Sequence, residues 1–428
     1  MTVVGGGLAG CEAAWQIARR GCAVTLIEMR PIKMTPAHRT GEMAELVCSN
    51  SLGSDERGTA AGLLKAELRM MDSLIMSCAD KTRVPAGSAL AGDREAFSRG
   101  VSSAIFSHPM IEVLREEARE IPQGICVIAT GPLTSDGLAG RIREFTGHEN
   151  LYFYDAAAPV VIGESIDMEY AFEGARYGKG AGYLNCPLDR DQYEIFWREL
   201  VSAEQHPRKS FEEAIFFEGC LPVEEIARRG KDTLRFGPMK PVGLVDPRTG
   251  KRPYAVLQLR MEDAQGTLYN LVGFQTNLKW GEQRRVFRLI PALHRAEFVR
   301  FGVMHRNTFL NGPRVLLDTL QSRIDPRVFF AGQRTGVEGY LESTATGLVA
   351  GINAWLLATG RSPVVFPPET ALGSLVRYVS SADPKHFQPM NINFGILPKP
   401  DEQVGRKKRE AVCERAVETL EGFRNVLT

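Results

Sequence analysis

VVGGGLAGCEAAWQIARRGCAVTLIE, residues 3–28, decides the fold class. A short apolar run breaks at a glycine turn, a helical pattern follows with Ala13, Ala14, Ile17 and Ala18 on one side, and a second apolar run spans residues 23–27. That order is one βαβ unit. Within the turn Gly5-Gly6-Gly7-Leu8-Ala9-Gly10, the glycines at 5, 7 and 10 satisfy GxGxxG. The first permits the tight turn, the second lets a pyrophosphate approach the backbone, and the third allows close helix–strand packing, with the helix N-terminus facing the phosphates. Glu28 stands eighteen residues after Gly10, at the end of the second strand, where an acid accepts hydrogen bonds from ribose hydroxyls. Strand, helix and acid in this register point to dinucleotide binding.

Two later glycine-ended strands narrow the dinucleotide. ICVIATG (125–131) reads as a buried strand ending at Gly131, and VFFAG (328–332) as another ending at Gly332, with FAGQ opening into a helix around residues 345–358. These resemble motifs of glutathione-reductase-type FAD domains, which favours FAD over NAD as the resident cofactor. A loop-rich stretch over residues 30–62 and a helical segment near 63–77 lie between the first two strands. From about residue 183 to 308 the α/β rhythm gives way to aromatics, Pro/Gly punctuation and alternating runs such as 254–259 and 268–274. The expected fold is therefore α/β, a Rossmann-like FAD-binding domain interrupted by a smaller α+β insertion. Its expected bounds are 1–182 and 309–428 for the FAD-binding domain and 183–308 for the insertion.

Composition bounds the functional classes. At 428 residues, 44% hydrophobic and 24% charged, the chain can bury more than one core. No apolar run approaches the ~20 residues that span a bilayer, and no basic-then-apolar leader precedes the glycines, so a cytoplasmic location is expected. The eight cysteines are scattered without a CxxC pair and read as reduced thiols. No His/Cys/carboxylate spacing suits a metal, and none is expected. A net charge of +1 means that any nucleic acid must be held by a local basic patch.

Further segments carry a more specific resemblance: GGGLAGCEAAWQIA (5–18), EMRP (28–31), MTPAH (34–38), ELVCSNSL (45–52), RVPAG (83–87), DREAFS (93–98), ATGPLTS (129–135), YLNCP (183–187), LPVEE (221–225), FGPMKPVGL (236–244), LVGFQTNLKW (271–280), VMHRNT (303–308) and GVEGYLESTATG (336–347). In this order, over nearly the whole chain, they resemble the folate- and flavin-dependent tRNA (uracil-5-)-methyltransferase family, TrmFO. The likeness to the larger flavoprotein that modifies wobble uridine is more distant, and that protein's long helical C-terminal domain has no counterpart here.

The resemblance implies 5-methyluridine formation in the T-loop of tRNA. Methylenetetrahydrofolate would supply the carbon, reduced FAD would carry and reduce it, and NAD(P)H would restore the flavin. Uracil carbon 5 becomes nucleophilic only after a thiolate adds at carbon 6, so a cysteine is required. In the family pattern Cys220, in FFEGCLPVEEIARRG, matches the nucleophile, and the helix start after it would favour a thiolate. Cys48 matches a second functional cysteine, assigned either to removal of the carbon-5 proton or to protection of the flavin adduct. Cys11, Cys22, Cys78 and Cys126 lie in apolar patterns and read as core, and Cys186 stays undecided.

Tyr340 is expected against the flavin or pterin. Weaker candidates are His38, Asn50, Ser51, His305, Arg306, Asn307, Glu338 and Glu342. Lys240, Lys279, Arg284 and Arg285, among Trp280 and Phe274, suit an RNA surface in which cations track phosphate and rings stack on bases. Two other readings stay open: an NAD(P)H-dependent FAD oxidoreductase acting on another substrate, and a flavin-containing tRNA-binding protein without turnover.

Overall fold

The β-branched and aromatic runs form the first sheet, in a computed structural model that describes residues 1–178, 180, 182–207, 221–399 and 406–427. Five parallel strands lie in the order Val328–Phe330, Cys126–Ile128, Thr2–Val4, Val24–Ile27, Ile111–Leu114. Their interior residues, Val3, Leu26, Val127 and Phe329 among them, are excluded from solvent, as expected of a parallel sheet covered on both faces. Thr2–Val4 sits between strands that run to opposite sides of it. That makes its carboxyl end a topological switch point, where ligands of open α/β sheets bind. Thr2–Val4, Val24–Ile27, Cys126–Ile128 and Val328–Phe330 end toward the same crevice, at Gly5, Glu28, Ala129–Gly131 and Gly332.

Against this sheet lie the helices Leu8–Ala18 and Tyr340–Ala358, which approach so closely that side chains are excluded from the contact. A Cβ on Gly347 would stand 2.2 Å from the Ala9 carbonyl oxygen, and one on Gly351 2.6 Å from that of Ala13. The helical segment near 63–77 is two helices, Ala60–Met70 and Leu74–Lys81. Asp72 between them takes a left-handed φ of 55°, and Ser73 caps the second helix by accepting from the Met76 N–H.

A second sheet is antiparallel throughout: Phe172–Glu173, Tyr183–Leu188, Ala255–Met261, Leu268–Leu271, Val160–Ile162, Phe298–Arg300. The helices Arg190–Ser202, Val223–Arg228 and Trp280–Phe287 join it around a separate core that includes Tyr193, Phe196, Phe274 and Phe287. Leu151–Ala156 pairs with Met304–Phe309 to form a two-stranded ribbon between the lobes. Among the described residues no helix is long and apolar enough to cross a membrane.

Candidate functional site

Two of the three fingerprint glycines meet a steric demand. Gly5 has φ +105°, and a Cβ there would lie 2.5 Å from the Ala129 carbonyl oxygen. A Cβ on Gly10 would lie 1.7 Å from the Gly5 carbonyl oxygen. Gly7 instead faces open space and is the N-cap of Leu8–Ala18, with no side chain accepting from the helix. Because the first N–H groups of a helix have no partner within it, those at Leu8 and Ala9 stand at an uncapped, positive helix end. A phosphate fits that seat.

Glu28 is 6% exposed and lies on the wall of a cleft with Gly5, Met29, Thr130 and Leu138. Its Oε2 accepts from the Gly6 N–H at 2.6 Å, and its Oε1 accepts from the Arg30 N–H and Nε–H, both at 2.9 Å. Burial alone would raise the carboxyl, but the Arg30 guanidinium and these donors outweigh it and hold it below its ordinary range. A carboxylate offers about four lone-pair sites, so roughly one remains, on Oε2, for a ribose hydroxyl. Arg30, 2% exposed, is also bridged to Glu45 at 3.3 Å. Gly131 takes φ +66° at the crevice, where Thr134 Oγ1 donates to its carbonyl at 2.9 Å. Gly332, φ +74°, sits against Ala9 and donates its N–H to Thr346 Oγ1 at 2.8 Å. The residues present thus fit an adenine dinucleotide with its pyrophosphate at Leu8–Ala18 and its far end toward Gly332 and Tyr340.

Beyond Gly332 the structure brings Cys48 and Tyr340 together: the Cys48 N–H donates to Tyr340 Oη at 2.8 Å. The loop that carries Cys48 is pinned from several sides. Arg94 donates to the Cys48 carbonyl at 3.1 Å and pairs with Glu262, while Arg300 donates to the Val47 carbonyl. Arg260 reaches Asn50 Oδ1 at 2.9 Å and Ser49 Oγ at 2.6 Å, and Asn50 Nδ2 donates to the carbonyls of Gly92 and Met261. Asn50 is thus a structural clasp between the lobes. Glu262, Arg260 and Arg300 have no local sequence signal, because their partners lie some two hundred residues away; only Arg94 falls in a family-like segment.

The Cys48 thiol faces the Ala156 carbonyl at 3.8 Å. Burial, and next the carboxyl of Asp155, push it up to about 12, against the pull of Arg300 and Arg94. Burial likewise raises Glu338, assisted by Asp155 and Glu342, although both Glu338 oxygens accept from Gln333 Nε2 at 2.8 Å. Glu342 is raised by burial to about 7 while accepting from the Ile392 N–H. Cys48 thus lies among the charges of Asp155, Glu338, Arg94 and Arg300.

The other candidates divide. Cys220 lies outside the described residues, as do the side chains of His305 and Arg306. His38 Nδ1 shares a hydrogen bond with Thr35 Oγ1 at 2.6 Å within its own loop. Cys186, 0% exposed, belongs to the second core, and burial pushes its thiol to about 12. Of the expected RNA patch, Phe274 must be corrected: it is fully buried between Phe196 and Phe287 and cannot meet a base. Lys279 is paired with Glu204, and Arg285 with Glu199 and Glu282. Among the described residues no group of three His, Cys, Asp or Glu side chains could hold a metal ion. A larger cleft of about 1000 Å³ opens beside Arg94 and Glu262, with Arg39, Lys81, Arg83 and Arg300 also on its walls.

Comparison with known proteins places these features in a family. The profile described as GIDA, glucose inhibited division protein A, matches residues 1–362. The methylenetetrahydrofolate--tRNA-(uracil-5-)-methyltransferase TrmFO of Pelotomaculum thermopropionicum is 61% identical over 431 residues, covering 100% of this chain and 99% of the relative. The TrmFO of Heliobacterium modesticaldum is 59% identical over 427 residues, covering 99% of this chain and 97% of the relative. Among solved structures, GidA of Aquifex aeolicus has a TM-score of 0.72 over 98% of this chain and 73% of that chain, at 16% identity, a likeness of fold.

Proposed function

The chain belongs to the TrmFO family, and from that premise we propose that it methylates carbon 5 of a uridine in the T-loop of tRNA, with methylenetetrahydrofolate as one-carbon donor and NAD(P)H as reductant. The observation that carries this reading is the position of Cys48: its backbone is held by Tyr340 and Arg94, and its thiol faces the Ala156 carbonyl, where the dinucleotide crevice meets the seam between the lobes. Such a site suits a reaction in which a flavin and an RNA base must meet away from water. Reduced FAD, when bound, supplies the carrier for the one-carbon unit and the two electrons that turn methylene into methyl.

The chain's own groups do the rest. Gly5, Gly6, Gly7, Leu8, Ala9 and Gly10 would hold the pyrophosphate, Glu28 the adenosine ribose, and Gly131, Gly332 and Tyr340 the walls around the remainder. The Cys220 thiolate would add to uracil carbon 6, making carbon 5 the nucleophile that bonds to the one-carbon unit. Loss of the carbon-5 proton and expulsion of the Cys220 sulfur then restore the ring. Burial pushes the Cys48 thiol up to about 12, so the protonated form is favoured. If it takes the carbon-5 proton, Arg94 and Arg300 are the groups that favour the thiolate. A tRNA substrate would place its work in the cytoplasm.

The test uses purified holoenzyme, an unmodified tRNA transcript, methylenetetrahydrofolate and NADH or NADPH, with nucleosides analysed by mass spectrometry. The expected result is 5-methyluridine that disappears when the folate is omitted. Nicotinamide oxidation with no change in the RNA would instead favour an FAD oxidoreductase acting on another substrate.

A further inference from the structure

Five aromatic rings run from the core of the second lobe to its surface. Phe274 meets Phe287 at 5.4 Å between centroids, Phe287 meets Phe298 at 6.5 Å, Phe298 stacks on Phe301 at 5.6 Å, and Phe301 stacks on Trp280 at 5.7 Å. The inner contacts are edge-on or tilted, as core packing usually is. The outer two are nearly parallel, 11° and 13° between planes. The series ends in Trp280, whose surface is 55% exposed. Its other ring contact is the edge-on His206 imidazole at 6.5 Å, and more than half of the indole still faces water.

The stack is also held rigidly. Gln283, 0% exposed, donates from Nε2 to the carbonyls of Leu278 and Gly302 and accepts the Gly302 N–H at 2.7 Å. One buried amide therefore locks the residue after Phe301 to the start of the helix that carries Trp280. Gly302 is required there, since a Cβ would lie 2.5 Å from Thr276 and 2.7 Å from the Ala157 carbonyl oxygen. Arg300, between Phe298 and Phe301, faces the other way and bonds the Val47 carbonyl beside Cys48. Val299 and Arg300, beside Phe298 in the chain, line the cleft that also holds Arg94 and Glu262.

We propose that Trp280, backed by Phe301 and Phe298, is a stacking seat for one unpaired base of the RNA substrate. This rests on the tRNA reading above and says which chemistry this surface recognises. The charges around it separate stacking from phosphate contact. Lys279 and Arg285 are already matched by Glu204, Glu199 and Glu282, and the Arg284 guanidinium lies over the Phe301 ring at 5.4 Å. A flat ring with neutralised surroundings selects the π-face of a base rather than its backbone.

The experiment measures binding of an unmodified tRNA transcript to the full-length holoenzyme across a salt series, for wild type, Trp280→Ala, Trp280→Leu and Trp280→Phe. Alanine and leucine should each weaken binding by about 5- to 150-fold, the range for removal of one stacked ring, while phenylalanine restores most of it. The slope of log affinity against log salt should be unchanged, because no phosphate contact is lost. Flavin content and melting temperature, read on the same samples, separate a folding defect from a lost seat, and the phenylalanine variant keeps the test open if alanine misfolds. Wild-type affinity in Trp280→Leu, or a shallower salt slope in either variant, overturns the proposal. Wild-type protein that binds tRNA but does not methylate it sinks the functional reading alone. Wild-type protein that does not bind tRNA sinks both.

Discussion

Gly347→Ala places one methyl group where Tyr340–Ala358 crosses Leu8–Ala18. The new Cβ would stand 2.2 Å from the Ala9 carbonyl oxygen and 2.7 Å from Ala9 Cα, both backbone atoms of a helix that has no rotamer to change. Ordinary contact would require the helices to part by roughly 1 Å, and close-packed interiors transmit such a shift without absorbing it. Overpacking costs ~1–3 kcal/mol, with a rigid backbone contact at the upper end, and alanine returns ~1 kcal/mol of helix propensity. The net loss is about 2 kcal/mol, a fall of about 4 °C in melting temperature at the lower sensitivity expected of larger chains. Since Ala9 belongs to the first turn of the phosphate-facing helix, the variant should also lose flavin. Gly140→Ala, in the helix Asp136–Thr146, is the control: its Cβ meets nothing within 4 Å, and it should raise stability by up to ~1 kcal/mol. The assay is a thermal melt with flavin absorbance per protein. A Gly347→Ala protein that melts at or above wild type with full flavin would refute the close contact and the phosphate geometry that depends on it.

Gly10→Val, whose Cβ would lie 1.7 Å from the Gly5 carbonyl oxygen, should purify colourless, and retained flavin absorbance would show the pyrophosphate to lie elsewhere. Glu67 is fully buried, accepts from the Ala371 and Leu372 N–H groups, and is raised by burial from 4.5 to about 8. Its folded form holds the proton more tightly, so its contribution is full below about 4.5 and is lost as pH rises through about 8, on the order of 5 kcal/mol in all. Glu67→Gln should flatten chemical-denaturation stability across that window, and an unaltered pH profile would count against the assignment. Cys48, half-buried with its thiol near 12, should alkylate slowly with iodoacetamide at pH 7, read by peptide mass spectrometry; rapid labelling would contradict the raised thiol. RNA bearing 5-fluorouridine at the target should become covalently trapped by wild type and Cys48→Ala but not by Cys220→Ala, since fluorine does not leave as the proton does. The reverse pattern on a denaturing gel would exchange the two roles.

Legibility in the sequence followed distance along the chain. The βαβ unit, the glycine turn and Glu28 could be read because their constraints fall within twenty-eight residues and use glycine and β-branched residues, whose conformational preferences are strong. ICVIATG and VFFAG were visible as buried strands for the same reason, and they pair on one side of Thr2–Val4. The second lobe was harder. Two of its six strands, Val160–Ile162 and Phe172–Glu173, precede residue 183 and are too short to show alternation. The pin from Arg260 to Asn50 spans 210 positions, and the Gly347 contact with Ala9 joins residues more than three hundred apart. No local pattern encodes such pairs. For the basic patch, the ion-pair partners of Lys279 and Arg285, Glu204 and Glu199, come from another segment and carry no local signal.

The folate origin of the methyl carbon can be read in a single turnover. Holoenzyme is reduced chemically without nicotinamide, then mixed with methylenetetrahydrofolate carrying carbon-13 in its methylene group and with excess unmodified tRNA. One equivalent of 5-methyluridine per reduced flavin, one mass unit heavy, is the expected product. Flavin reoxidation with unlabelled RNA, or methylation that requires S-adenosylmethionine, would contradict it.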